Sequence, residues 1–285
     1  MATPVPEHPD NPASPSVRAA LDHPPFPTAV AAWVGVELAT VEENLALDEG
    51  LLEMAHEGLA TTACVRTWMA TEPTVVLGSS GRLAEEVDLD ACSTLGVRVI
   101  RRPSGGGTVL LGPGCLMWSV IAPHPEGPPP IEAIHAGMLE PLAAAITAHL
   151  RSLPAAAGSL VTRRGTSDLT IAPSGGTAAD REAKKISGNA LRVRRHGVLY
   201  HGTLLDSFDL GLVSRVLRHP PREPDYRGGR HHGAFLANLG LGRHTLERLV
   251  RAAFRATAVQ EDWPRDRVVR LVRERYTATD WTERL

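Results

Sequence analysis

The order of extended and helical stretches constrains this chain most. Strand-like segments come in hairpin-like clusters broken by glycine turns, and the helical segments stand between the clusters. A strict strand–helix alternation would direct a parallel, doubly wound sheet. Clustering directs instead an α+β fold, with a mixed, mainly antiparallel sheet flanked by helices. The 285 residues suffice for one large core.

Apolar spacing at Leu45, Leu52 and Met54, followed by Gly58, predicts a helix over 40–57. Strands follow at Cys64–Met69 and Thr74–Leu77, the second stopped by Gly78-Ser79-Ser80-Gly81. A short helix over 88–95 ends at Gly96, and a strand over 97–100 delivers Arg101 and Arg102 to a glycine turn. Residues 108–111 and 116–122 read as a hairpin about Gly112-Pro113-Gly114. A proline-rich loop over 123–130 leads to an alanine-rich helix over 131–150. In the second half, 168–171, 185–187, 189–193 and 198–205 read as extended, with a ligand-dependent loop over 172–183. Helices are expected over 210–217, 246–256 and 265–274. Eight prolines fall within residues 1–28, so 1–33 are expected to be a disordered leader. A main domain would then run over 34–260, with a short C-terminal helical extension over 261–285.

A net charge of −2 excludes bulk attraction to nucleic acid or to an anionic membrane, so any basic surface must be local. No stretch is long and apolar enough to span a bilayer, and the N-terminus lacks the pattern of a signal peptide. The cysteines Cys64, Cys92 and Cys115 are widely spaced and odd in number. They argue for a reducing compartment and against a disulfide framework or a cysteine zinc site. His231-His232 has no third ligand at metal spacing, so no metal site is assigned. A cytoplasmic location is the expectation.

Two stretches carry chemistry. Residues 101–107 read Arg-Arg-Pro-Ser-Gly-Gly-Gly: a turn without Cβ atoms, able to bring backbone N–H groups against an anion, with two cations at its entrance. It is neither a Walker motif nor a dinucleotide fingerprint. Residues 184–190 read Lys-Lys-Ile-Ser-Gly-Asn-Ala. Adjacent strand residues point to opposite faces, so one of the two lysines can enter a site.

These pieces, with Asn-Leu-Ala-Leu-Asp-Glu from Asn44, Ser167–Leu169 and His-Gly-Thr-Leu-Leu from His201, resemble the lipoate–protein ligases. Their superfamily also holds biotin–protein ligases and octanoyltransferases. The matches follow the family's order across roughly 35–260. The resemblance implies a class II synthetase- and biotin ligase-like catalytic domain over 34–260 and a tunnel for a medium-chain acyl group. It implies that Arg102 contacts the nucleotide and that Gly105, Gly106, Gly107, Thr108, Val109 and Leu110 line the adenylate and acyl pocket. Lys185 would be catalytic, touching the acyl carbonyl and the α-phosphate. Asp168 would help to place Mg²⁺ or nucleotide. Ser187, Gly188, His201, Gly202 and Thr203 would complete the binding set, with Cys115 as a small lining residue or, less favoured, a nucleophile.

The family pattern is broken at Leu111-Gly112, where many relatives carry a histidine, and at Cys115. Relatives with a cysteine nucleophile place it upstream of Asp168 or downstream of His201. Neither 152–166 nor 207–221 holds a cysteine. The favoured reading is therefore a ligase that uses ATP and Mg²⁺ to activate lipoate or octanoate and passes it to a lysine of a lipoyl-domain protein. Only about 25 residues follow Gln260, which suggests either a separate small accessory subunit or the alternative, octanoyl transfer without ATP. A non-catalytic acyl-binding module is the third reading. The family's acceptors are typically acidic, so the arginine-rich stretch 215–232, with Arg218, Arg222 and Arg227 expected to be exposed, and the tip at Arg192, Arg194 and Arg195 are candidate docking surfaces.

Overall fold

A computed structural model describes residues 31–174 and 183–285. The expected leader over 1–33 falls outside these residues up to 30, as does most of the expected loop over 172–183. Within the leader's expected span, Ala32 and Trp33 belong to a strand, so the ordered fold begins earlier than the sequence suggested.

The strands are β1 (Ala32–Val34), β2 (Cys64–Met69), β3 (Thr74–Leu77), β4 (Arg98–Arg101), β5 (Val109–Leu111), β6 (Cys115–Pro123), β7 (Ser159–Arg164), β8 (Asp168–Pro173), β9 (Lys184–Arg194), β10 (Gly197–Leu205) and β11 (Ala258–Gln260). Eight form one sheet in the order β11-β1-β2-β6-β10-β9-β8-β7, parallel at the β11-β1-β2 edge and antiparallel from there on. The other three form a small sheet, β4-β3-β5. The expected α+β class with a mainly antiparallel sheet is what the chain adopts.

The helices are α1 (Val41–His56), α2 (Leu83–Glu86), α3 (Leu89–Leu95), α4 (Ile131–Arg151), α5 (Leu210–Val216), α6 (His232–Phe235), α7 (Arg243–Ala253), α8 (Arg265–Leu271) and α9 (Thr279–Thr282). Local chemistry explains several of their ends. Thr40 and Glu43 form a reciprocal capping box on α1. Asp88 caps α3, and Gly96 ends it in a left-handed turn at φ 65°.

The central strands β6 and β10 are buried on both faces, which splits the apolar core in two. One half packs α1, the small sheet and α8 on one face of the large sheet. The other packs α4 and α7 on the opposite face. The stretch expected as a C-terminal extension lies in the first half: Val268, Leu271 and Tyr276 are core residues.

One expectation is corrected. Residues 108–111 and 116–122 do not pair as a hairpin. The turn forms, closed by Cys115 N–H donating to Gly112 O at 3.1 Å. The strands beside it then diverge: β5 pairs with β3 in the small sheet, and β6 pairs with β2 and β10 in the large one. Burial of both faces of β6 draws it between two strands of the large sheet, away from β5.

Candidate active site

The glycine turn lies between the two sheets, and its shape is held by arginines. Arg102 is buried and donates to Val76 O, to Ser104 Oγ and to the carbonyls of Gly105 and Gly107, so its guanidinium folds the turn around itself. Burial pushes its pKa down to about 10 against the opposing pull of Glu86. Gly106 sits at φ 86°, a conformation that side chains resist. Thr108 is fixed by its hydroxyl donating to Glu86 Oε2 at 2.6 Å. Arg101 turns the other way. It is fully buried and spends its donors on Gly78 O, Gly81 O and Thr282 O, so it is structural and not the second entrance cation that the sequence suggested.

Strand β9 supplies the opposing wall. Lys184 is exposed, whereas Lys185 faces inward with its side chain 25% exposed and Nζ 2.8 Å from Asp168 Oδ1. A register irregularity between Leu169 and Thr170 lets β8 present Asp168 opposite Gly188. Tyr226 donates its phenolic proton to Asp168 Oδ2 at 2.7 Å, and its pKa is raised by burial and by the Asp168 charge. The backbone of Lys185 is pinned as well: Ala237 N–H donates to its carbonyl at 3.0 Å.

Two adjoining cavities meet at Gly107, Thr108, Val109, Asp168, Lys185, Gly188 and Thr203. The inner one, about 140 Å³, runs past Leu45, Val76, Leu111, Met117 and His201. The outer one, about 440 Å³, is walled by Leu110, Phe208, Leu217 and Phe235 and edged by Glu86, Arg222 and Arg227.

Beneath the inner cavity lies a buried polar network. Asp48 Oδ1 accepts from Arg66 at 2.7 Å and from Ser119 at 2.9 Å. Arg66 also donates to Asn44 Oδ1 and to two backbone carbonyls. Burial works to raise the Asp48 carboxyl, but Arg66 and His201 outweigh it and the net shift is downward. His201 Nε2 lies 2.6 Å from Ser104 Oγ. Its Nδ1 faces Asp48 Oδ2 at 3.7 Å, too far for a hydrogen bond. Burial, opposed by Asp48, lowers the His201 pKa and keeps the ring neutral.

Glycine turn, inward lysine and two-compartment cavity form one arrangement. A family model, the lipoyl protein ligase A/B catalytic domain, matches residues 40–261. The chain belongs to the lipoate–protein ligase and octanoyltransferase family. The enzyme is 30% identical over 266 residues to octanoyltransferase LipM of Moorella thermoacetica, covering 85% of this chain and 93% of that relative. A solved bi-partite lipoate protein ligase from Thermoplasma acidophilum matches its fold with a TM-score of 0.69 at 20% identity, covering 89% of this chain and 96% of that one. A lipoate-protein ligase A bound with ATP matches with a TM-score of 0.68 at 20% identity, covering 90% and 99%.

In this member of the family, Arg102, Gly106, Gly107, Thr108, Val109, Leu110, Asp168, Lys185, Gly188, His201, Gly202 and Thr203 line one or both cavities. Three expected residues do not. Cys115 has no exposure and belongs to the core; burial pushes its thiol up to about 12. Ser187 is fully buried and donates to Asn189 Oδ1. Gly105 contributes a carbonyl to Arg102.

The arginine stretch is also corrected. Arg215, Arg218 and Arg222 are exposed, but Arg227 is buried, stacked 4.9 Å from the Phe235 ring centroid and facing Glu223. Arg230 donates to the carbonyls of Ala183, Tyr226 and Arg227. These two arginines hold the outer cavity wall.

Sequence reasoning missed Tyr226, Glu86, Phe235 and Asn189 as lining or supporting residues. Tyr226 had a usable signal, as a lone aromatic within a polar, arginine-rich stretch. Glu86 had none, because its partner Thr108 is remote in sequence. Among the described residues no three His, Cys, Asp or Glu gather as a metal cluster, and no helix is long and apolar enough to cross a membrane.

Proposed function

We propose that the enzyme is an acyl-adenylate-forming ligase for lipoate or octanoate, acting in the cytoplasm on a lipoyl-domain protein. One observation carries this reading: Lys185 Nζ stands at the junction of the two compartments, while all three cysteines of the chain are buried and line neither cavity. Burial drives Cys64 and Cys115 up to about 12 and raises Cys92 as well. A thioester route needs a thiolate facing the substrate.

The inner compartment suits the aliphatic chain, and the outer one the nucleotide. The acyl carboxylate would attack the α-phosphorus of ATP, breaking the bond to the bridging oxygen and releasing pyrophosphate. The ε-amine of an acceptor lysine would then attack the acyl carbonyl, with AMP leaving and the amine giving up a proton. Lys185 would stabilise the charge that grows on the carbonyl and phosphate oxygens in both steps. Asp168 and Tyr226 hold it in place. Both Asp168 oxygens and Glu86 are already engaged, so the protein offers Mg²⁺ few ligands. That suits an ion arriving with the nucleotide phosphates.

A second reading, octanoyl transfer from a carrier protein, is favoured by the name of the Moorella relative. ATP–pyrophosphate exchange separates the two. Exchange that depends on lipoate or octanoate is expected. No exchange, together with ATP-independent acylation of a lipoyl domain from octanoyl-carrier protein, would select transfer. Because a structural neighbour is described as bi-partite, exchange and transfer are measured separately, since a separate subunit would be required in only some steps.

A further inference from the structure

Residues 279–284 lie outside both cavities, yet they are bonded to the backbone that supports the glycine turn. Trp281 Nε1 donates to Arg101 O at 2.8 Å. The Arg101 guanidinium donates back to Thr282 O through Nε and Nη2, at 3.0 and 2.8 Å. Its Nη1 reaches Gly78 O at 2.9 Å and Gly81 O at 2.6 Å. Arg284 donates to Ser79 O. The 78–81 turn touches the cavity loop directly. Ser79 N–H donates to Ser104 O at 2.8 Å. Gly78 packs so closely that a Cβ there would meet Gly106 O at 2.0 Å. On the other side, the Tyr276 hydroxyl donates to Leu45 O at 3.2 Å, and Leu45 lines the inner cavity. The Trp281 ring is fixed between two guanidiniums, 4.6 Å from Arg275 and 3.9 Å from Arg284.

We infer that segment 279–284 is a clamp that sets the shape of the glycine turn through Arg101, which acts as a positioning residue. The physical case is one of alternatives. A turn of three glycines has more conformations open to it than any other tripeptide, and few of them aim N–H groups at one anion. Arg102 folds the turn from within. Arg101 and Trp281 fix the strand end and the 78–81 turn against which it is folded. Loosening the clamp lowers the fraction of molecules in the binding shape, and apparent affinity falls by that fraction while the bound complex reacts as before. The ligand readout rests on the proposed function; the shape readout does not.

Trp281→Phe tests this, because it removes the N–H donor and keeps a ring between the two arginines. Amide hydrogen exchange should quicken by about tenfold at residues 104–108 and stay unchanged in β6 and β10. The apparent Kd for a non-hydrolysable octanoyl-adenylate analogue should rise by a similar factor of about ten, and KM for octanoate should rise with kcat at saturation preserved. A chain cut after Ala278 should show the same pattern more strongly. Wild-type exchange at 104–108 in Trp281→Phe would overturn the clamp, as would an equal rise there and in β6 and β10, which marks plain destabilisation. A lost kcat with unchanged analogue affinity would overturn it too. Faster exchange at 104–108 in a protein that binds no analogue would leave the clamp standing and remove the proposed function.

Discussion

The inner and outer compartments are built on opposite plans. The inner one rests on side chains sealed from water: Arg66 and Asp48 are 0% and 1% exposed, and His201 and Ser104 are buried beside them. Every element of that floor belongs to α1, the large sheet or the glycine turn. The outer compartment is walled by short pieces, α5, α6 and the segments around them. These are tied down by arginines donating to carbonyls, as Arg218 does to Ala84 O and Arg230 to Ala183 O and Tyr226 O. A buried network resists rearrangement, because each further unpaired member costs heavily, and Asp48 Oδ2, Arg66 Nε and His201 Nδ1 already lack a hydrogen-bond partner. The outer wall is tied partly by exposed groups such as Arg218 and partly by buried ones such as Arg227 and Phe235. Under the proposed function, the acyl chain enters the compartment floored by the buried network, and the nucleotide enters the one walled by short pieces.

Breaking the floor should produce the largest effect. Asp48→Ala leaves the Arg66 charge buried without its carboxylate, a loss of about 3–5 kcal/mol, read as the shift in unfolding free energy by urea titration. Lys185→Ala should do the reverse. Its side chain is partly exposed and adds little packing, so stability should hold while acyl transfer falls by about 10²–10³. Single-turnover acylation and a thermal melt on the same sample check both halves.

The floor also predicts a pH dependence. The folded His201 pKa lies below its ordinary 6.5, so the unfolded chain takes up the proton first. Its contribution is fully present above pH 6.5 and is lost as pH falls below that value, at no more than about 1.4 kcal/mol per pH unit. Urea midpoints between pH 7.5 and 5 should fall for the wild type and fall less steeply for His201→Gln. Some slope should remain, because burial also lowers His135, and burial with nearby cations pushes His232 down to about 4. An unchanged slope in His201→Gln would mean that the histidine is not held neutral.

Reversing Arg215 to Glu should be the mildest change. It is exposed and lines neither cavity, so transfer to an acidic acceptor should slow by only a few-fold, at low salt, with adenylate formation kept. A salt series on both half-reactions decides it. Arg218 and Arg222 are left out because both line the outer cavity, and Arg227 because it is buried.

What could be read from the sequence follows the range of the forces involved. Helix ends were legible because Thr40, Glu43, Asp88 and Gly96 act within a few residues of themselves. The glycine turn and the Lys185 stretch were legible for the same reason. The short strands β1 and β11 were not, since each is three residues long and exists through pairing such as Ala32 with Ala258. The misplaced hairpin shows the boundary: its turn is local and was found, but the partner of β5 is β3, chosen by packing. At the site, Lys185 faces the cavities as the strand alternation allowed, whereas Cys115 and Arg227 were misplaced, because burial belongs to the whole fold.

The central claim is that acyl transfer proceeds through an adenylate with no thiol involved. Its most direct test is intact-mass analysis of the enzyme after incubation with octanoyl-carrier protein without ATP, and in parallel with octanoate and ATP. The account predicts no covalent adduct in the first case. In the second it predicts AMP released in step with acylation of a lipoyl domain. A hydroxylamine-labile octanoyl adduct on Cys115, formed without ATP and able to acylate the lipoyl domain, would contradict it.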